Sequence, residues 1–182
     1  HTSSAAALGV PAPEVEGRRM LMDETHAWNY RPDYWPYGYA KYLAELEVQK
    51  AVARGLEAVI VNPSVVLGAG DIYRQTSSIV VQTARRRIPV MIDGGLNVVH
   101  LEDVVAGHLA AWERGRPGER YLLTGENLSV PDFIRKIAAV AGVPAPTLYF
   151  PAGLARRAAG LLKLLKPYLH LAVTPEQLRQ AG

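Results

Sequence analysis

A phenol and an ammonium stand four residues apart in Tyr37-Gly-Tyr-Ala-Lys41, where the chain begins a stretch that reads as a helix. That spacing places both side chains on one helix face, within a few ångströms of each other. A free phenol, with a reference pKa of about 10, is a poor base at neutral pH, and favouring the phenolate near pH 7 requires about 4 kcal/mol. One cation at about 4 Å, with an effective dielectric of about 20, supplies on the order of 4 kcal/mol. The pair therefore has the right magnitude for proton transfer by Tyr37. A Tyr and a Lys at this spacing also occur on ordinary helices, so the pair alone assigns no chemistry.

The helix that carries the pair is predicted to run to about Arg54. Leu43, Leu46, Val48, Ala51 and Val52 give it an apolar stripe, Glu45 and Glu47 fall on other faces, and Gly55 stops it. Upstream, residues 10–35 mix prolines, charges and polar groups without period and read as a long loop. Downstream, Ala58-Val59-Ile60-Val61 reads as a buried parallel strand ended by Asn62-Pro63. The loop Gly68-Ala69-Gly70-Asp71 leads to a helix from Ser77 to Arg87, closed by its own basic turn. Gly94-Gly95 makes a turn before the strand Asn97-Val98-Val99-His100, and a helix from Leu101 to Trp112 carries Glu102 and Asp103 in its first turn. Tyr121-Leu122-Leu123 is another strand. Ser129 caps a helix from Val130 to Val140 that Gly142 ends. Leu154 to Leu165 is a basic amphipathic segment suited to cover a core or pocket, with a membrane surface as its rarer use. Thr174-Pro175-Glu176-Gln177 starts a further helix. Residues 1–9 lack an initiator Met and a strand to hold them, so the chain reads as cut at both ends.

Strands alternating with helices favour a parallel sheet covered on both faces, and such sheets bind ligands at the carboxyl ends of their strands. Those ends are Thr2-Ser3-Ser4 and Asn62-Pro63-Ser64. With 49% hydrophobic residues in 182, the chain can bury a core; with no cysteine it has no disulfide, thiolate metal site or thiol nucleophile. No metal site is expected, and a cytoplasmic location is the default. The net charge of +3 is small, and Arg85-Arg86-Arg87 lacks the aromatic interleaving of a nucleic-acid surface, so it reads as a solvated helix end. No apolar run reaches the length of a membrane span.

In order along the chain, these pieces resemble the extended short-chain dehydrogenase/reductase family, which includes the NAD-dependent epimerase/dehydratases and a dihydroflavonol-4-reductase-like branch. Thr2-Ser3-Ser4-Ala5 is similar to the family's serine stretch, Tyr37 and Lys41 to its Tyr-x-x-x-Lys pair, and Ala44-Glu45 to the small-acidic pair that follows. Asn62-Pro63-Ser64 with Gly68 and Gly70-Asp71 resembles its sixth-strand loop, Val99-His100-Leu101-Glu102-Asp103-Val104 its Val-His-x-x-Asp-Val segment, and Tyr121 to Gly125 its seventh strand.

The resemblance implies an α/β fold: the C-terminal part of a doubly wound, Rossmann-like parallel sheet plus a smaller, mainly helical substrate domain. Residues 1–73 and 97–125 would form the former, and residues 74–96 and 126–182 the latter. It implies NAD or NADP as cofactor and a small carbonyl or alcohol substrate, and it is compatible with a homodimer. Tyr37 would be the acid/base, Lys41 would lower its pKa and hold the nicotinamide ribose, and Ser4, with Ser3 as runner-up, would hydrogen-bond the reacting oxygen. Pro63 and the backbone at Val66 would border the carboxamide. Ser3, Asn62 and Leu96 would face the substrate. Leu96 stands where nucleotide-sugar enzymes often carry a diphosphate-clamping arginine, which favours a less charged ketone or aldehyde, although Arg74, the Arg85 to Arg87 cluster or Asn62 could serve a phosphate. The family's glycine-rich fingerprint would lie upstream of His1, and Gly68-Ala69-Gly70 is no substitute for it. These 182 residues alone are expected to hold the nicotinamide end of a dinucleotide but not its pyrophosphate.

Two other classes compete. A serine hydrolase could arrange Ser4, His100 and Asp103 as nucleophile, base and orienter, but no Gly-x-Ser-x-Gly turn surrounds Ser4. A non-catalytic binding protein on this fold would have little reason to retain Ser4, Tyr37 and Lys41 together.

Overall fold

The computed structural model describes residues 1–12, 21–71 and 77–150. The segments expected at Leu154 to Leu165 and Thr174 to Gln177, together with Arg74, lie outside the described residues. The fold is mixed α/β with parallel strand pairing. It divides into two compact units, His1–Val66 with Val98–Gly125, and Leu67–Asn97 with Glu126–Gly182.

In the first unit, strand β1 (Ile60–Pro63) pairs in parallel with β5 (Arg120–Leu123), in a register that sets Asn62 opposite Leu122 and Pro63 opposite Leu123. Residues 1–3 lie along the other edge of β1. Thr2 bridges Val61 in parallel, the Ser3 amide donates to the Val61 carbonyl at 2.8 Å, and the Val61 amide donates to the His1 carbonyl at 3.0 Å. These residues thus have a strand to hold them, contrary to expectation. The strand expected at 58–61 sits two residues later and runs through Asn62 and Pro63. Proline is tolerated as its last residue because the next ladder bond comes from the Ser64 amide, which donates to the Leu123 carbonyl at 3.1 Å.

Helix α1 (Pro36–Val52) starts with proline in its first turn, where the missing amide hydrogen leaves no bond unmade. Its inward face is not the leucine stripe. Leu43 and Leu46 are exposed, while Gly38 and Glu45 are buried. The face that meets the unit runs through Gly38, Tyr42, Glu45, Gln49 and Val52, a 4-3-4-3 spacing that also suits a helical period. Tyr42 stacks on Trp28 with centroids 6.0 Å apart, Gln49 Nε2 donates to the Gly118 carbonyl at 2.7 Å, and Val52 lies beside the same glycine. Reading apolarity alone chose the wrong face, because small and polar residues do the docking here.

At one end of that face, the 3₁₀ turn η1 (Ala5–Leu8) lies against α1, with Ala7 and Leu8 fully buried. Gly38 permits the approach. A Cβ at this position would stand 2.8 Å from the Ala6 carbonyl oxygen, 2.9 Å from the Trp28 ring and 3.0 Å from that of Trp35. The loop before α1 completes the seat. Trp28 gathers Trp35, Tyr39 and Tyr42 at 5.7 to 6.0 Å, and Tyr30 meets Trp35 edge-on. Helix α3 (Leu101–Arg114) packs beside β5 at Gly107, where a Cβ would meet the Leu123 side chain at 2.5 Å.

In the second unit, β3 (Val90–Ile92) pairs in parallel with β7 (Leu148–Phe150), and α2 (Ser77–Ala84) and α4 (Val130–Val140) pack together over a core that includes Met91, Phe133, Ile134 and Ala138. Ser129 caps α4, its hydroxyl accepting the Asp132 amide at 3.1 Å. Arg85 to Arg87 follow α2 as an exposed turn, with Arg86 in the left-handed region at φ 56°. The short strands β2 (Val65–Leu67) and β6 (Glu126–Ser129) and the six-residue β4 (Gly95–His100) complete the elements.

Gly38→Ala tests the seat. Helix propensity favours alanine by about 0.8–1 kcal/mol, but backbone and two indoles must yield, at roughly 1–3 kcal/mol. The full-length variant should unfold at a lower temperature in a calorimetric scan; a raised midpoint would mean that η1 is not held against α1 at this glycine.

Candidate active site

Ser4 ends the extended segment beside β1 and caps η1, its Oγ accepting the Ala6 amide at 3.2 Å. An Oγ that accepts this bond keeps its own hydrogen for another acceptor. Because η1 begins at the next residue and rests on the Gly38 turn, Ser4 is delivered to the end of α1 that bears Tyr37. Ser3 points the other way in burial: it is 7% exposed, and its Oγ has no partner among the described residues. Tyr37 is 57% exposed and Lys41 half-buried, one turn apart on α1. Among the described residues, no hydrogen bond or ion pair engages the Tyr37 hydroxyl or the Lys41 ammonium. Both groups are therefore open to a ligand.

Asn62 has no exposed surface to offer a phosphate or substrate. Its Nδ2 donates to the Ser4 carbonyl at 2.9 Å and to Glu45 Oε1 at 2.6 Å, and its Oδ1 is buried without a partner among the described residues. Its place is in the framework beneath Ser4. Pro63 is buried at the carboxyl end of β1, and Val66 is half-buried in β2. Leu96 is half-buried in β4, within the second unit.

Glu45 is the residue that sequence reasoning misplaced. Expected on a face other than the apolar stripe, it is 1% exposed, and its second carboxylate oxygen accepts Arg120 Nη2 at 2.6 Å. Arg120 in turn donates through Nη1 to the His26 carbonyl at 3.0 Å. The available signal was spacing. Tyr37, Lys41 and Glu45 recur every four residues, and Glu45 lies seven from Gly38, on the same side of the helix. The loop before α1 adds the Glu24 carboxylate, which accepts the Leu122 amide at 3.1 Å and so covers the free side of β5.

His100 does not support a hydrolase triad. Its Nδ1 accepts the Glu102 amide at 3.3 Å as the N-cap of α3, so this imidazole nitrogen serves a helix end. Ser4 likewise stands at the cap of η1 rather than on a nucleophile turn.

Comparison with known proteins bears on the family and the fold. Residues 1–124 match the model of the NAD dependent epimerase/dehydratase family. The chain is 37% identical, over 80% of its length, to a putative dihydroflavonol 4-reductase of Synechocystis, and 30% identical, over 83% of its length, to sterol demethylase protein B of Methylococcus capsulatus. The matched residues cover 43% and 44% of those two proteins, so the chain spans less than half the length of the curated relatives it matches. A nucleoside-diphosphate-sugar epimerase from Pseudomonas aeruginosa superposes with a TM-score of 0.77 at 27% identity, covering 99% of this chain and 63% of that one. Members of the matched group include NAD(P)-dependent reductases, epimerases and dehydratases. No helix among the described residues is long and apolar enough to cross a membrane.

Proposed function

The chain belongs to the NAD-dependent epimerase/dehydratase family, and from that premise we propose that the protein containing it reduces a ketone or aldehyde, with Tyr37, Lys41 and Ser4 as its reacting and binding groups. The observation that carries the reading is the open Tyr37 and Lys41 pair on α1 with Ser4 delivered to the same end of the helix. The donors fit a nicotinamide riboside: an ammonium without a protein partner among the described residues suits ribose hydroxyls, and the buried Pro63 offers an apolar border at the carboxyl end of β1. The bound nicotinamide supplies the hydride.

The protein's own groups then have separate tasks. Lys41 would hold the ribose, its ammonium one helical turn from the phenol. Tyr37 would hand its proton to the carbonyl oxygen as the carbon gains hydride, so that ketone becomes alcohol and a phenolate is left to be reprotonated from solvent. The Ser4 hydroxyl donates to the same oxygen and steadies its developing charge. Unit His1–Val66 with Val98–Gly125 is the nucleotide-binding part in this reading, and unit Leu67–Asn97 with Glu126–Gly182 is the substrate-binding part.

Similarity to a putative dihydroflavonol 4-reductase, together with leucine at position 96, supports an uncharged carbonyl substrate; a diphosphate there would lack a cation from that position. A second reading, epimerisation or dehydration of a nucleotide sugar, has the likeness to the P. aeruginosa protein behind it. Full-length enzyme given NADPH or NADH should oxidise the cofactor with a dihydroflavonol or another ketone and leave UDP-glucose and dTDP-glucose unchanged. Converted nucleotide sugar with no ketone reduced would overturn the choice.

The group assignments have their own check. Tyr37→Phe should lower kcat by roughly 10² or more at nearly unchanged cofactor affinity, whereas Lys41→Ala should weaken both. Full turnover by Tyr37→Phe at saturating cofactor would remove Tyr37 from the proton-transfer step.

A further inference from the structure

Glu45 takes no part in the chemistry described above, yet it is a nearly inaccessible carboxylate on the helix that carries Tyr37 and Lys41. A buried carboxylate persists only where donors answer it, and here both oxygens are answered: Oε1 by Asn62 Nδ2 and Oε2 by Arg120 Nη2, each at 2.6 Å. The two donors come from different places. Asn62 belongs to β1 and Arg120 to β5, so one side chain of α1 is tied to two neighbouring strands.

The chain of bonds continues in both directions. The second hydrogen of the Asn62 amide reaches the carbonyl of Ser4 at 2.9 Å, and Arg120 Nη1 reaches the carbonyl of His26 at 3.0 Å in the loop that holds Trp28. Thus one connected set of hydrogen bonds, three of them charge-assisted, joins the Tyr37 helix to the backbone of Ser4 and to the loop that seats that helix. An aliphatic residue at 45 could fill the space but could not fix the register of α1 along β1, because apolar contact has no direction. A carboxylate held between an amide and a guanidinium does.

We propose that Glu45 is a positioning residue: acting through Asn62, it fixes the Ser4 carbonyl, and with it the Ser4 hydroxyl, relative to Tyr37. The inference rests on the roles given above to Ser4 and Tyr37. Glutamine is the informative replacement. It has the same size but only one acceptor oxygen, so its NH₂ faces either the Arg120 guanidinium, donor against donor, or the Asn62 amide, which can meet it only by turning Oδ1 toward position 45 and so withdrawing Nδ2 from the Ser4 carbonyl.

The test is a double-mutant cycle in the full-length enzyme with NADPH, and with dihydroquercetin or, if that is what the enzyme turns over, UDP-glucose or dTDP-glucose. Glu45→Gln should lower kcat by about 10- to 100-fold while cofactor dissociation changes less than about threefold. In a Ser4→Ala background the same substitution should cost less than about threefold, because the group it positions is gone. Asn62→Ser, which removes the link to the Ser4 carbonyl but leaves the Glu45 and Arg120 pair, is carried through the same cycle and gives the answer if Glu45→Gln does not fold. Equal losses in both backgrounds, or a loss confined to KM or cofactor affinity, would overturn the positioning role alone. An undiminished kcat in Ser4→Ala would instead overturn the reading of Ser4 on which it rests.

Discussion

A carboxylate in a protein interior is tolerated only with partners that replace the water it has lost, and the first unit of this chain is arranged around such a group. Glu45 draws in an amide from β1 and a guanidinium from β5, and those strands are adjacent because their own ladder pairs Asn62 with Leu122 and Ile60 with Arg120. The exchange of partners is nearly complete among the described residues, so removing Arg120 would leave the charge without compensation in a place water does not reach, and removing the Asn62 amide would leave one carboxylate oxygen without a donor. This is a different kind of constraint from hydrophobic burial. Burial brings α1 to the sheet; the Glu45 bonds decide where along the sheet it stops.

Close backbone approach is the second constraint. Gly38 sits between the two residues proposed to do the chemistry, and its lack of a Cβ lets the turn after Ser4 rest on the helix. A glycine inside a helix is unfavourable by about 1 kcal/mol relative to alanine, a cost that packing against η1 and two indoles offsets. The aromatic loop before α1 has a related task. Its described residues carry no helix or strand, yet Trp28 contacts three rings, and the carbonyl of His26 and carboxylate of Glu24 meet β5.

Much of this was legible in the residues, and the divisions are instructive. The helices at 36–52, 101–114 and 130–140 announced themselves through caps and period, and Ser129 does what a serine before Val-Pro-Asp should do. The strands of three or four residues at 65–67, 90–92, 126–129 and 148–150 did not, since a run that short has no measurable alternation. Tyr37, Lys41 and Ser4 were visible as chemical types in a familiar order. Glu45 was visible too, but it falls off the leucine stripe, its seven-residue offset from Gly38 was the one local hint, and the partners that answer its charge lie 17 and 75 residues away. No pattern confined to the helix could have shown them.

The parallel pairing of residues 1–3, β1 and β5 has a consequence for how such a site comes into being. Parallel neighbours cannot be joined by a tight turn, so every bond between these segments closes a long stretch of chain, 58 residues in the case of Asn62 and Ser4. Helix α1 can form early from local contacts, and Tyr37 and Lys41 with it. Ser4 can join them only after the slow, entropically expensive closures that bring distant strands together. A chain in which only α1 had formed would display an exposed phenol and ammonium with no third group beside them, so the assembled constellation would mark correct topology.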